Sequence, residues 1–295
     1  MDQHKALSGK GHDILHTAPS GCRNHFVLRF LFRTDVLVVP LALLLFWALV
    51  AARPHRSSSY KLKTVVIDAG HGGKDPGCLG KDHYEKEIAL GVALELGKLI
   101  KENLPDVKVI YTRRTDVFIE LNDRSGVANK NHADLFISLH CNAGIPKAIG
   151  SETYVMGLHK SQGNLDVAKR ENDVVLKEEN YLEKYDGFDP KSPLAHIIFA
   201  NFQSAHLANS LKLATEIERY MKSRTNRKSR GVRQDGFLVL WKTAMPSVLC
   251  EIGYLSNRKD EKYMSSAKGK AQIAGSIYRA LRDYKKNVEA LGKVK

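Results

Sequence analysis

Residues 65–80 read V-V-I-D-A-G-H-G-G-K-D-P-G-C-L-G, and this stretch decides the fold. Its apolar start, two valines and an isoleucine, leads into Asp68 and then into a glycine-rich turn that carries one histidine, His71. A short apolar run that ends in turn-forming residues is typical of a buried β-strand. The sequence therefore predicts a strand that delivers His71 at its C-terminal edge, where either a metal or a phosphate would bind.

Strand-like and helix-like segments alternate along the chain from Tyr60 onward. The predicted helices are 85–102, 121–130, 204–220 and 268–284, and the further predicted strands are 107–112, 133–141, 151–156, 237–240 and 247–252. Such alternation predicts a single layered α/β domain, in which helices flank both faces of a central, mostly parallel or mixed sheet. Sites in sheets of this kind form where strand ends meet loops.

The first 59 residues are a different kind of sequence. Basic residues are frequent in 1–35, residues 36–52 are an uninterrupted apolar run, and 53–59 form a polar linker. This order predicts an export signal or a membrane anchor, with the N-terminal end in the cytoplasm and the main domain outside the inner membrane. Cleavage after V-A-A and retention as an anchor both remain open. A buried core helix is disfavoured because the run has no polar positions at helical spacing.

The charge balance predicts an anionic partner. Lys and Arg number 46 against 32 Asp and Glu, a formal net charge of +14. Nucleic acid, a membrane surface and an acidic polymer such as bacterial cell wall all fit this excess. The basic run from Met221 to Gln234 predicts a solvated loop that could hold anionic glycan or stem-peptide carboxylates. Nucleic acid is disfavoured because export separates the protein from it and no aromatic residues interleave the charges.

Candidate catalytic residues lie at the predicted strand ends. His140 ends the strand at 133–141, Glu251 lies late in another strand, and Glu85 opens the first helix. Two imidazoles and one carboxylate are a common catalytic zinc set, and a second carboxylate could move the proton. A hydrogen-bonded structural histidine is the alternative. A phosphate loop is excluded because G-x-x-x-x-G-K-[ST] fails at Asp82, and no C-x-x-C pair is present for a zinc ribbon.

Longer motifs surround these residues. They are D-A-G-H-G-G-K-D-P-G, T-R-x-x-D at 112–116, R-x-x-x-A-N at 124–129, F-I-S-L-H-C-N-A at 136–143, G-S-E-T at 150–153 and P-S-V-L-C-E-I-G-Y-L-S-N at 246–257. Over nearly all of 60–284 the chain resembles the zinc-dependent N-acetylmuramoyl-L-alanine amidases of the amidase 3 type. Cys78 departs from that pattern, where a small residue such as alanine is more usual.

The resemblance implies a role for each of these residues. His71, Glu85 and His140 would bind Zn²⁺, and Glu251 would be the general acid/base. The implied reaction is hydrolysis, by a zinc-activated water, of the amide between N-acetylmuramic acid and L-alanine in peptidoglycan. Two alternatives stay open: a zinc peptidase acting on stem peptides, and a non-catalytic wall-binding module. Arg113, Asp116 and Arg124 are expected to fix loops, and Asn142 to orient substrate or cap a turn.

A long charged segment at 158–203 interrupts the domain, which we place at 60–290 with a tail at 291–295. The Gram-negative cell-division amidases that the chain resembles carry a helix here, which covers the active site with a glutamate. The resemblance thus implies autoinhibition by a helix near 163–179, with Glu171 at the open zinc position and an activator protein that relieves it. An exposed helix with no inhibitory role is the alternative. The expected location is the periplasm or cell envelope.

Overall fold

A mixed β-sheet organises the part of the chain that the computed structural model describes, residues 60–158, 161–200 and 205–291. Its strands are β1 (Thr64–Ala69), β2 (Lys108–Tyr111), β3 (Leu135–Asn142), β4 (Ser151–Met156), β5 (Ser229–Asp235) and β6 (Ser247–Tyr254). The spatial order is β2-β1-β3-β6-β4-β5, and every neighbouring pair is parallel except β4 with β6. The predicted α/β fold with a mostly parallel sheet is confirmed.

Helices cover both faces of this sheet. They are α1 (Glu85–Asn103), α2 (Leu121–Lys130), α3 (Gln162–Asn172), α4 (Tyr181–Lys184), α5 (Pro193–Ala200), α6 (Leu207–Thr225), α7 (Leu238–Trp241), α8 (Arg258–Ser265) and α9 (Ala267–Leu291), with a 3₁₀ turn at Asp173–Lys177. None of the described helices combines the length and the apolar character needed to cross a bilayer. The apolar run predicted as a signal or anchor, 36–52, lies outside the described residues.

Two hydrophobic cores lie on opposite sides of the sheet. Val65 and Ile67 of β1 belong to the first core, which α1, α6 and α9 cover. Val66, between them, belongs to the second core, which α2 and α7 cover. This division follows from the two-residue period of a strand, which sends successive side chains to opposite faces. A continuous apolar run is therefore what a strand buried on both faces requires.

The inserted segment also packs on the second core. Val167 and Ala168 of α3, and Val174 and Val175 of the 3₁₀ turn, are buried there. Burial of an apolar side chain stabilises a fold by about 1.5–3 kcal/mol, so this helix is held by the domain and not merely tethered to it. The alternative was an exposed helix with no inhibitory role, and its expectation of an exposed helix is wrong, because one face of α3 is buried.

Two local predictions are wrong as well. The run 237–240 was expected to be a strand, but Leu238–Trp241 form helix α7, because four consecutive apolar residues can bury themselves in either conformation. The basic run 221–234 was expected to be a loop, but it ends α6 and then enters the edge strand β5. Charged residues are usual on edge strands, where only one side of the backbone is paired.

Candidate metal centre

The topology brings the sequence-predicted site residues to one edge of the sheet. His71 follows β1, His140 lies near the end of β3, and Glu251 lies opposite His140 in the register of β3 and β6. Glu85 is the first residue of α1, which starts after the loop that carries His71. Because β1, β3 and β6 are neighbouring parallel strands, their C-terminal ends meet at the same place.

The side chains of His71, Glu85 and His140 lie in direct contact. Glu85 Oε1 is 3.1 Å from His71 Nε2 and 3.1 Å from His140 Nδ1. The two imidazole rings meet edge to face, with their centroids 4.9 Å apart. All three residues are buried. The arrangement therefore places two imidazole nitrogens and a carboxylate oxygen around one point, shielded from solvent.

Glu171 of α3 reaches the same point from the inserted segment. Its Oε2 atom is 3.2 Å from His71 Nε2 and 2.8 Å from His140 Nδ1. Ligand atoms of His71, Glu85, His140 and Glu171 all lie within 4.8 Å of one another. The structure thus places the glutamate that the resemblance singled out directly beside both histidines.

This cluster fits a divalent cation. His71 Nε2 and Glu171 Oε2 are buried and lie close to the other members of the cluster, but neither makes a well-directed hydrogen bond to any of the described residues. Burial lowers the pKa of His140, but the neighbouring carboxylates, Glu171 foremost, outweigh it and raise the pKa to about 9. The surroundings thus favour positive charge at this point, and buried polar atoms left without partners are costly. Two imidazole nitrogens and carboxylate oxygens are ligands that Zn²⁺ accepts.

The orientation of His71 is set by Asp75. His71 Nδ1 donates a hydrogen bond to Asp75 Oδ2 at 2.7 Å, which leaves Nε2 facing the cluster. Lys177, in the inserted segment, donates to Asp75 Oδ1 at 2.5 Å. Burial raises the pKa of Asp75, but the hydrogen bonds from His71 and Lys177 more than offset this and hold the pKa below its usual range. Sequence reasoning missed this pair, although Asp75 stands in the D-P-G of the opening motif.

Backbone groups hold Glu85 in place. Its Oε2 accepts the N–H of Cys78 at 2.8 Å, and its Oε1 accepts the N–H of Cys141 at 2.8 Å. The loop must pass very close to these side chains. A Cβ atom at Gly70 would lie 2.4 Å from His140 Cε1, and one at Gly77, whose φ is +69°, would lie 2.6 Å from His71 Cδ2. The glycines of the opening motif are therefore required by close approach to the cluster.

Glu251 is a buried carboxyl. Neither of its oxygens accepts a hydrogen bond from any of the described residues. Glu251 forms an ion pair with Arg170, in which Arg170 Nη2 lies 3.7 Å from Glu251 Oε1. Burial raises the pKa of Glu251 well above the usual value, and the nearby charge of Glu171 raises it further. A buried carboxyl with a raised pKa beside a metal cluster is a candidate for the group that accepts and returns a proton.

Arg170 links the inserted helix to this carboxyl. Its guanidinium pairs with Glu171 Oε1 at 3.1 Å and donates to Asn142 Oδ1 at 3.0 Å. Asn142 in turn donates to Glu152 Oε1 at 2.6 Å, so it holds other side chains and does not cap a turn. Sequence reasoning missed Arg170, for which adjacency to Glu171 was the available signal.

The expectation that Arg113, Asp116 and Arg124 fix loops is confirmed. Arg124 pairs with Asp68 at 2.9 Å and donates to the carbonyl of His71. Arg113 donates to the carbonyl oxygens of residues 69 and 70, and Asp116 accepts from Lys86 at 2.7 Å. These contacts hold the loop that carries His71. The cysteines at 141 and 250 are buried and free, as expected of residues that fill the core.

Comparison with known proteins shows similarity to N-acetylmuramoyl-L-alanine amidases in both sequence and structure. Residues 65–283 match the Amidase_3 family, described as N-acetylmuramoyl-L-alanine amidase. The amidase AmiA of Escherichia coli K12 is 29% identical over 238 residues, which cover 79% of this chain and 80% of AmiA. The catalytic domain of the amidase CwlV from Bacillus (Paenibacillus) polymyxa matches with a TM-score of 0.55 at 30% identity, over 75% of this chain and 97% of that domain.

A further solved structure shows a related amidase with a partner. The CwlD amidase of Clostridioides difficile, in complex with the GerS lipoprotein, matches with a TM-score of 0.54 at 25% identity. The match covers 75% of this chain and 98% of CwlD.

Proposed function

The chain belongs to the amidase 3 family of N-acetylmuramoyl-L-alanine amidases, and we propose that His71, Glu85 and His140 hold its catalytic zinc. It is a peptidoglycan amidase. Because peptidoglycan lies outside the cytoplasm, the enzyme acts there. We extend the proposal to its route: residues 1–52 export the domain to the periplasm or cell envelope, as a cleaved signal or as an anchor in the inner membrane.

The chemistry divides between the metal and Glu251. Zinc, when bound, lowers the pKa of a water molecule and polarises the carbonyl oxygen of the amide between N-acetylmuramic acid and L-alanine. Glu251 takes the proton from the attacking water. It then delivers that proton to the amine of L-alanine as the C–N bond breaks. The burial of Glu251 supports this role, and so does the absence of hydrogen bonds to its oxygens among the described residues, because departure of Arg170 with α3 leaves both oxygens free to bind the proton.

The same geometry supports autoinhibition by helix α3. Glu171 Oε2 takes the position, beside both histidines, where water and the substrate carbonyl must approach. The adjacent Arg170 lies against Glu251. Substrate access therefore requires α3 to move away, and an activator protein would supply the free energy for that movement. The solved complex of a related amidase with a lipoprotein is consistent with a protein partner.

Convergence of Glu171 with the three ligands carries the proposal, and Glu171→Ala tests it. Three full-length proteins are compared: the parent, Glu171→Ala, and Glu179→Ala, which changes an exposed residue of the same segment and is the control. Each is incubated with purified peptidoglycan, and the products are identified by mass spectrometry. Glu171→Ala should release intact stem peptides faster than the parent, and Glu179→Ala should match the parent. Released amino acids would support a peptidase instead. A folded Glu171→Ala variant that is no faster than the parent would refute the autoinhibition.

The identity of the metal has its own test. Two imidazoles and carboxylates accept several divalent ions, so metal content must be measured on protein purified without added metal. We expect one zinc per chain, and its loss on changing His140 to alanine. A different metal at full occupancy would overturn the assignment of zinc without affecting the assignment of the ligands.

A further inference from the structure

An open cavity of about 340 Å³ adjoins the metal centre. One wall is helix α3, which contributes Asn164, Asp166 and Arg170. The opposite wall belongs to the sheet and to the loop after β3. Its members include Asn142, Glu152, Tyr254, Arg230 and Arg233. If α3 moves away, as proposed above, this second wall stays with the domain and remains open beside the catalytic site.

A β-bulge shapes the second wall. The register of β4 with β5 steps from Ser151 opposite Ser229 to Thr153 opposite Val232. Two steps along β4 thus correspond to three along β5, so β5 carries one additional residue here. Gly231, within this interval, has a φ of +82°, a conformation that favours glycine. Bulges near active sites commonly redirect side chains.

The bulge places two arginines on the same side of β5. In a regular strand, residues three apart point to opposite faces. Here Ser229 donates to buried Glu218 and Val232 packs on the first core, whereas Arg230 and Arg233 both line the cavity. The extra residue is therefore what gathers two guanidinium groups at one wall.

These two arginines differ in their partners. Arg233 pairs with Glu152 at 3.1 Å, so its charge is compensated within the protein. The remaining acceptor of Glu152 is used by three side chains, those of Asn142, Tyr154 and Tyr254. Arg230 lies 4.8 Å from the ring centroid of Tyr254 and donates through Nε to the carbonyl of Ile149. Among the described residues, no carboxylate forms an ion pair with Arg230.

We propose that this cavity is a subsite for a carboxylate of the stem peptide, bound by Arg230 with its guanidinium held on Tyr254. The inference rests on the proposed function, because it takes the substrate to be a muramoyl peptide cut at the metal centre. The carboxyl of N-acetylmuramic acid is consumed in the scissile amide, so the sugar side offers no carboxylate. The residues beyond L-alanine do. Arg230 therefore marks the side of the centre on which the peptide lies.

Two substrates test the proposal on full-length chain carrying Glu171→Ala. They are synthetic muramoyl tripeptide amides, L-alanyl-γ-D-glutamyl-L-alaninamide and L-alanyl-D-isoglutaminyl-L-alaninamide. The α-carboxyl of the second residue is free in the first and amidated in the other, and neither peptide has another carboxylate. We expect kcat/KM to favour the carboxylate by about tenfold, as for a charge-assisted hydrogen bond. Arg230→Gln should abolish the preference by slowing the carboxylate substrate alone. Arg279→Gln on α9, outside the cavity, should leave it intact.

Binding provides a readout that needs no catalysis. Calorimetric titration with the free peptides L-alanyl-γ-D-glutamyl-L-alaninamide and L-alanyl-D-isoglutaminyl-L-alaninamide should show the same preference and the same loss in Arg230→Gln. Arg230→Lys, which keeps the positive charge, should retain most of the preference for the carboxylate peptide. Equal binding of both peptides to the parent, or an equal loss for both in Arg230→Gln, would overturn the subsite. Failure to cleave either muramoyl peptide would instead count against the proposed function, while the titration still decides the subsite.

Discussion

Replacing Asp75 by asparagine tests whether the carboxylate behind His71 sets the metal affinity. The change keeps the size of the side chain but exchanges a charged acceptor for a neutral one. The hydrogen bond from His71 Nδ1 to Asp75 is 2.7 Å long, and both side chains are almost completely buried, at 4% and 2% exposed. Loss of such a partner typically lowers metal affinity about 10–100-fold. We therefore expect the Kd for zinc to rise by that factor.

Lys177→Met is the matched control, because it removes the other side-chain partner of Asp75 and leaves the carboxylate in place. The side chain of Lys177 is 42% exposed, so its ion pair is screened by solvent and contributes at most about 1 kcal/mol. Its removal should raise the Kd for zinc less than about fivefold. Both variants and the parent are measured by competition with a zinc chelator, after circular dichroism has shown that they are folded. An unchanged Kd in Asp75→Asn, or an equal rise in both variants, would refute the reasoning.

Other perturbations isolate separate parts of the molecule. Glu251→Gln should keep zinc, measured by metal analysis, and lose hydrolysis of peptidoglycan, because the amide cannot shuttle the proton. Gly70→Ala should lower zinc affinity, measured by chelator competition, because its Cβ would meet the His140 ring at 2.4 Å. Gly126→Ala, in a helix with open space around it, should instead stabilise the fold by about 1 kcal/mol in urea unfolding. Glu218→Gln should change how stability depends on pH, because burial raises the pKa of Glu218.

The sign for Glu218 follows from its raised pKa. Protonated Glu218 stabilises the fold fully below the unfolded-state pKa, which is about 4.3, and this contribution is lost as pH rises through the folded-state pKa. Glutamine does not titrate, so the free energy of unfolding of Glu218→Gln relative to the parent should increase from acidic to neutral pH. Glu216→Gln, on the same helix but partly exposed, is the control. A difference in unfolding free energy that does not vary with pH would contradict the prediction for Glu218. Loss of zinc from Glu251→Gln would contradict the role given to Glu251, and an unaltered zinc affinity in Gly70→Ala would contradict the argument from close approach.

Much of the site could be predicted because its residues stand at strand ends. Buried apolar runs mark β1 and β3, and parallel neighbours place their C-terminal ends together, so His71 and His140 had to converge. Glu85 was expected nearby because α1 begins shortly after the loop. Glu171 was a different case. Periodicity indicated a helix but gave no reason for its glutamate to point inward, and only the resemblance to a family suggested that it did.

The parts that sequence could not reveal depend on contacts between distant residues. Lys177 meets Asp75 from 102 positions away, and no local pattern records such a pairing. The helix at 238–241 and the strand β5 were mistaken for other conformations because short segments take the structure that their neighbours allow. The bulge at Gly231 likewise depends on the register with β4.

The adjacency of Arg170 and Glu171 has a consequence for the proposed activation of the enzyme. Glu171 contacts the metal cluster, and the preceding residue, Arg170, contacts Glu251, the proposed proton shuttle. Under the proposed autoinhibition, the helix cannot release one contact without releasing the other, so no intermediate exposes the metal site while Arg170 still pairs with Glu251. An activator should then change the number of working molecules and leave the turnover of each one constant. Titration with an activator would raise the apparent kcat in proportion to the fraction of molecules bound, at an unchanged KM.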